Sequence, residues 1–181
     1  MNENYVRKCK EIFEEECERR DINEDLKLIE SHLKFEISAE YQYILERYAG
    51  KYVQENYGFK GLEKTPLTDK NGYDSVSYFF PMNGKDNVRD KYVTYKEQLP
   101  TELIPIAEMD GGNLLCLNRV TNEIYSWIHD EAGKNVHLVQ GNMSDFINSF
   151  VKIEHEKCDN LGIVEAKFSA GFLEALRNYK G

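Results

Sequence analysis

His129 is followed directly by two acids, Asp130 and Glu131, at the end of a predicted strand. A histidine beside a carboxylate can act as a general base when a nucleophile and an oxyanion donor are within reach. Neither partner group is evident in the sequence, so the catalytic set is incomplete. A strand-end histidine paired with a neighbouring acid is the favoured interpretation. A hydrolase that uses His129 remains the weaker alternative.

Asp110, Gly111 and Gly112 form a second arrangement of polar and flexible residues. Backbone amides in such a turn can in principle bind a phosphate, and the carboxylate can bind a cation. A hairpin turn that requires positive φ is the favoured interpretation, because glycine adopts that conformation without steric cost. We therefore predict that Gly111 and Gly112 have a structural role.

Motifs of the common enzyme and cofactor families are missing from the sequence. We find no phosphate-binding GxxxxGK[ST], no dinucleotide-binding GxGxxG, no GxSxG and no HExxH. The four cysteines form no CxxC pair and have no histidine at ligand spacing, which argues against a zinc site. Cys9 and Cys116 are predicted to be buried thiols. We accordingly predict no catalytic residue, no cofactor and no metal.

Negative charge is concentrated in the middle of the chain. The formal net charge is −9 over 181 residues, and the segment 99–131 contains one basic residue, Arg119, against six acids: Glu102, Glu108, Asp110, Glu123, Asp130 and Glu131. An acidic protein is poorly suited to bind nucleic acid, because phosphate neutralisation needs clustered lysine and arginine. The charge favours solubility and attraction to a basic partner. A solvated acidic surface without a binding role is the alternative.

Length and hydropathy are typical of a single ordered domain. With 41% hydrophobic residues, 181 residues suffice to bury a core. The N-terminal residues contain no apolar signal-peptide region, and no apolar run reaches 18 residues. We therefore expect a cytoplasmic protein that does not bind membranes.

Hydrophobic periodicity predicts helices on both sides of an antiparallel meander. The predicted helices cover residues 3–20, 25–34, 39–48, 86–98 and 164–179, and Ser38 is the predicted N-cap of the third. A further helix is predicted after Ser144, its N-cap, and carries Phe146, Ile147, Phe150 and Val151. The predicted strands cover residues 73–80, 104–107, 114–117, 123–128 and 136–139. This order predicts an α+β fold, a central antiparallel β-meander covered by N-terminal and C-terminal helices, with one sheet face at least partly solvated. Tyr125 and Trp127 share one face of their strand, as core residues or as binding anchors.

The segment 99–131 resembles the central motif of the SUKH superfamily, which includes regulators of cell-wall assembly (glucan synthesis) and many bacterial immunity proteins. The resemblance rests on the apolar run Leu103–Ala107, the Asp-Gly-Gly-Asn turn at 110–113 and the Trp-x-His-Asp strand end at 127–130. The segments 29–50 and 143–147 are similar to the opening and closing motifs of the superfamily. Ser38, where a proline is usual, and Tyr48-Ala49, where Asn-Gly is usual, depart from the pattern.

The resemblance implies a SUKH-like α+β domain over residues 25–155, preceded by a helical extension at 1–24 and followed by a helix at 156–181. It implies a non-catalytic immunity protein that neutralises a cognate toxin domain, which we expect to be a basic nuclease. A regulatory or scaffold domain is the alternative. The oligomeric state is left open. Candidate partner-binding residues are Glu108, Asp110, Glu123, Tyr125, Trp127, His129, Asp130 and Glu131.

Overall fold

The middle of the chain folds into a five-stranded antiparallel sheet. A computed structural model describes residues 2–18, 21–33 and 35–153. The strands are β1 (Tyr57–Phe59), β2 (Tyr78–Phe79), β3 (Leu103–Glu108), β4 (Leu114–Asn118), β5 (Ile124–Trp127), β6 (Val136–Gln140) and β7 (Phe150–Lys152). The strand order in the five-stranded sheet is β2-β3-β4-β5-β6. The helices are α1 (Glu3–Ile12), α2 (Asn23–Leu33), α3 (Ala39–Arg47), α4 (Val88–Tyr95) and α5 (Met143–Asn148). The predicted α+β fold with a central meander is confirmed.

The turn between β3 and β4 is a short 3-10 turn at Asp110–Gly112, the three residues at which the sequence predicts a hairpin turn. Gly111 has φ 71° and Gly112 has φ 79°, so the predicted need for positive φ is confirmed. The Met109 amide donates to the Asn113 carbonyl at 2.8 Å and closes the turn. The next turn places Asn122 at φ 61°, a conformation that asparagine tolerates better than most residues.

The first helix is shorter than its hydrophobic pattern predicts. It ends at Ile12, and Phe13 takes an extended conformation that forms a β-bridge with Val53. The Phe13 ring stacks on Tyr48 with centroids 4.4 Å apart and also contacts Phe79. This burial of an aromatic ring against two other elements outweighs the local helical preference. Residues 3–20 therefore do not form one continuous helix.

The segment after β6 also differs from the prediction. Asn142, rather than Ser144, is the N-cap of α5, and its side chain accepts a hydrogen bond from the Asp145 amide at 2.8 Å. Phe150 and Val151 belong to β7, which pairs with β1 in a separate two-stranded sheet. The apolar residues of this segment fit a helix of six residues followed by a strand equally well, and the pairing with β1 decides between them. The predicted helix 164–179, the segment 156–181 and Cys158 lie outside the described residues.

Two further predicted elements are shorter in the structure. Of residues 73–80, only Tyr78–Phe79 form a strand, and the helix predicted over 86–98 covers Val88–Tyr95. The Ser38 cap of α3 is confirmed, with its hydroxyl accepting from the Tyr41 amide at 3.2 Å.

The core lies on both faces of the central strands. Every residue of β4 except Asn118 is buried, and so are the first five residues of β3. The expectation of a partly solvated face holds at β6, which alternates between half-buried and buried positions, and at the neighbouring Tyr125 of β5. Helix α1 contributes Tyr5, Cys9 and Ile12 to the same core. Burial raises the pKa of the Cys9 thiol to about 12, so this thiol is protonated at neutral pH.

Candidate functional site

The candidate residues separate towards opposite ends of the sheet. Glu108 pairs with Leu114, and Leu114 pairs with Trp127, so the residues at 108–114 and 127–131 gather at one end, which we call the turn end. The turn end contains Glu108, Asp110, His129, Asp130 and Glu131. Glu123 precedes β5 at the opposite end, separated by the length of a strand, roughly 13 Å at 3.3 Å per residue.

Asn113 joins the two chain segments of the turn end. Its side chain is buried, at 4% exposure, and its Nδ2 donates to the Asp110 carbonyl at 2.6 Å. Its Oδ1 accepts from the His129 amide at 3.1 Å and lies 3.0 Å from His129 Nδ1. The two backbone partners fix the orientation of the amide group. Sequence reasoning missed this residue, although its place directly after the Asp-Gly-Gly turn is a usable signal.

The His129 ring is held between two oxygen acceptors. Nδ1 faces Asn113, and Nε2 lies 3.0 Å from Asp130 Oδ2, which confirms the contact between this histidine and the neighbouring acid. The Asp130 side chain is 87% exposed, so the ion pair contributes at most about 1 kcal/mol. Both ring nitrogens are engaged by oxygens, and neither faces a serine, threonine or cysteine in the contacts of the described residues.

Asp110 and Glu131 are each tied to a neighbouring element. Asp110 accepts hydrogen bonds from the hydroxyls of Ser75 and Ser77, at 2.5 and 3.2 Å. Glu131 lies 2.7 Å from Nε2 of His137, a histidine of β6 that is only 6% exposed. The second contact anchors the β5–β6 loop to β6. The β3–β4 turn and the β5–β6 loop are therefore each held in place by one of their own acids, Asp110 and Glu131.

Trp127 and Tyr125 have different environments. Trp127 is 2% exposed and packs edge-on against Tyr95 of α4 with ring centroids 5.7 Å apart. It is a core residue, which corrects its place among the partner-binding candidates, because a buried ring offers a partner no surface. Tyr125 is half-buried and donates to Glu123 at 2.9 Å. Burial, followed by the Glu123 contact, raises the pKa of Tyr125.

Two of the remaining acids are partly compensated. Glu108 lies 3.9 Å from the ammonium group of Lys91, which also pairs with Asp86. Hydrogen bonds from Thr121 and Tyr125 lower the pKa of Glu123.

A groove of about 540 Å³ adjoins the turn end and is lined by acids from distant parts of the chain. We call it the acidic groove. Its acidic residues are Glu14, Glu55, Asp69, Asp74 and Asp110, with the tyrosines Tyr52, Tyr57 and Tyr73 beside them. Lysine and arginine do not occur among the described residues that line it. No sequence signal predicts this groove, because only the tertiary fold brings its residues together.

Two acids of the groove have shifted pKa values. Backbone amides donate hydrogen bonds to the Asp69 carboxylate, and these hydrogen bonds lower the pKa of Asp69. The amide of Tyr73 is one of these donors, at 2.8 Å. Asp74 is buried, and burial raises its pKa although the hydroxyls of Thr65 and Thr68 donate to it at 2.9 and 3.2 Å. Asp69 therefore carries a full charge at neutral pH, and Asp74 ties the loop of Thr65 and Thr68 to the lining of the groove.

A second concavity, of about 510 Å³, lies on the other side of the β3–β4 turn. We call it the hairpin pocket. Its lining comprises Pro66, Leu67, Gly111, Asn113, Ile128, His129, Asp130, Glu131 and Ala132. Leu67 also lines the acidic groove, so the two concavities share a wall. Half of the predicted partner-binding residues, namely Asp110, His129, Asp130 and Glu131, line one concavity or the other.

Comparison with known proteins places this architecture in a family. A model of the SMI1 / KNR4 family (SUKH-1) matches residues 23–149, from α2 through α5. The chain belongs to the SUKH-1 family. It is 29% identical over 154 residues to the SPbeta prophage-derived uncharacterized protein YokK of Bacillus subtilis (strain 168), a match that covers 76% of this chain and 80% of the relative. The predicted SUKH resemblance is confirmed, and helix α1 precedes the matched region.

The described residues contain neither a cluster of metal ligands nor a helix that could span a membrane. Across residues 2–18, 21–33 and 35–153, no three His, Cys, Asp or Glu side chains are grouped as metal ligands. Of the helices in these ranges, α2 is the longest at 11 residues, and none has the length and apolar character needed to cross a membrane.

Proposed function

We propose that this protein is a non-catalytic immunity protein that binds and neutralises a basic toxin domain, most simply a nuclease. The acidic groove beside the hairpin pocket is the observation that carries the proposal. Its five acids come from four separate segments of the chain, and its lining within the described residues contains no lysine or arginine. A surface of this kind attracts a positively charged protein over long range and raises its association rate.

The chemistry of a nuclease supports this choice of partner. A nuclease must present lysine and arginine to hold the phosphates of its substrate. An acidic protein that covers the same surface blocks the substrate without any reaction of its own. The contacts of His129 agree with such a role, because Asn113 and Asp130 engage both ring nitrogens. Family membership supports the proposal further, since the SUKH resemblance implies toxin immunity for bacterial members.

The proposal is tested by capture followed by neutralisation. Tagged full-length protein is used to capture partners from a native lysate at low and moderate salt, and each stoichiometric partner is then expressed alone and with this protein. We expect one basic partner that arrests growth alone and is tolerated on co-expression. A set of several weak partners, none of them toxic, would contradict the proposal and favour a regulatory or scaffold domain.

A further inference from the structure

The hairpin pocket combines apolar walls with a negatively charged rim. Its apolar lining residues are Pro66, Leu67, Ile128 and Ala132, and Ile128 is 4% exposed. Asp130 and Glu131, from the loop that follows β5, complete the acidic part of the lining, and the 87% exposed Asp130 carboxylate lies at its solvent edge. The lining, all of it within the described residues, contains no lysine or arginine to neutralise the two acids.

This combination selects one class of side chain. Apolar walls favour a methylene stem, and two carboxylates at the rim favour a cation at the end of that stem. An anionic or purely apolar ligand would leave the rim charges desolvated without a partner. Lysine and arginine both meet these requirements, but the flat His129 ring beside the carboxylates favours the planar guanidinium, which stacks and forms bidentate hydrogen bonds.

We propose that the hairpin pocket binds an arginine side chain of a protein partner, with the stem against Leu67 and Ile128 and the guanidinium against Asp130. The assignment of this arginine to a toxin rests on the proposed function, whereas the preference of the pocket for arginine rests on its lining residues alone. The arrangement of Asp130 suits this role, because its 87% exposed carboxylate can exchange the His129 contact for a guanidinium without breaking a buried bond. Glu131 is held at the rim by His137.

The test uses a small probe and the full-length protein, so that no toxin is needed. N-acetyl-arginine amide is titrated into isotope-labelled protein, and the backbone amide resonances are followed by NMR. We expect saturable shifts at Gly111, Ile128 and Ala132, with a dissociation constant on the order of 1–10 mM for a single side chain. N-acetyl-citrulline amide has nearly the same shape without the charge and should bind about threefold to fivefold more weakly, as expected for loss of an exposed ion pair.

Two variants test which residues carry the binding. Asp130→Asn should weaken the arginine probe about threefold to fivefold, whereas Glu97→Gln, at an equally exposed acid outside the pocket, should leave it unchanged. Equal binding of arginine and citrulline, or shifts confined to the acidic groove, would overturn the proposal. The absence of a toxic partner in the capture experiment would contradict the proposed function and leave this result standing.

Discussion

Replacement of Asn113 by alanine tests whether the turn end is built around this amide. The change removes the hydrogen bond to the Asp110 carbonyl and both contacts with His129. Each lost hydrogen bond costs about 1 kcal/mol, and a backbone group left buried and unpaired costs about 1–3 kcal/mol. We therefore expect the free energy of unfolding to fall by about 2–4 kcal/mol, a large share of the 5–15 kcal/mol that is typical of a domain.

Urea unfolding of the full-length protein, followed by circular dichroism, measures this loss. Asn113→Asp keeps both acceptor contacts with His129 but places a carboxylate oxygen against the Asp110 carbonyl at a buried position, so it should also lower the free energy of unfolding at neutral pH. Asn83→Ala is the matched control: its exposed amide donates to Asp25 at 2.8 Å, and its loss should change stability by less than about 0.5 kcal/mol. If Asn113→Ala is as mild as Asn83→Ala, the amide does not organise the turn end, and the reasoning is refuted.

Three further predictions concern groups around the same site. Burial raises the pKa of Asp74, so ionisation of this carboxyl opposes folding. As the pH rises from about 3.8 through the folded-state pKa, the wild-type protein should therefore lose stability relative to Asp74→Asn. A constant difference between their urea midpoints across this range would contradict the burial argument. Gly112→Ala should lower the free energy of unfolding by about 1–2 kcal/mol, because φ of Gly112 is 79°. Gly141→Ala is the control and should be nearly neutral in the same assay, because φ of Gly141 is not positive and the space around it is open. Equal effects of the two substitutions would refute the conformational explanation. Trp127→Ala should lower the free energy of unfolding by about 3–5 kcal/mol, because the ring is buried. In the wild-type protein, acrylamide should quench the tryptophan fluorescence slowly, and rapid quenching would show that the ring is accessible.

The sequence predicts well where local pattern and tertiary packing agree. Leu26, Ile29 and Leu33 recur at helical spacing, and all three are buried in α2. The meander is also predictable, because its strands are apolar runs separated by turn residues. Gly111 and Gly112 mark the first turn through their conformational freedom, and the structure places both at positive φ.

Prediction fails where a distant contact decides the local structure. The helical spacing of Phe13 continues that of Cys9, yet the stacking partner Tyr48 draws Phe13 out of the helix. Phe150 likewise pairs with Phe59, more than 80 residues earlier in the chain, and so belongs to a strand. Neither partner can be recognised from the neighbouring sequence.

The candidate site could be predicted only in part, for the same reason. Asp110 lies in the turn before β4, and Asp130 follows β5, which pairs with β4, so the meander itself implies that they lie near each other. The acidic groove adds Glu14 and Glu55, whose positions depend on how the chain packs before the sheet. A count of charges along the sequence therefore finds the acidic centre but misses the groove that gives it a shape.

The central claim is that this acidic surface attracts a basic partner, and the association rate constant of the purified complex tests it most directly. Stopped-flow measurements at several salt concentrations compare wild type with the double variant Glu14→Lys and Asp130→Lys. The double variant Glu97→Lys and Glu102→Lys serves as the control with the same change of charge, since both residues are exposed and line neither concavity. We predict that the Glu14/Asp130 variant associates about tenfold or more slowly at low salt, with a flatter salt dependence, whereas the Glu97/Glu102 variant has a much smaller effect. Equal slowing in the two double variants, or no slowing in either, would contradict the account.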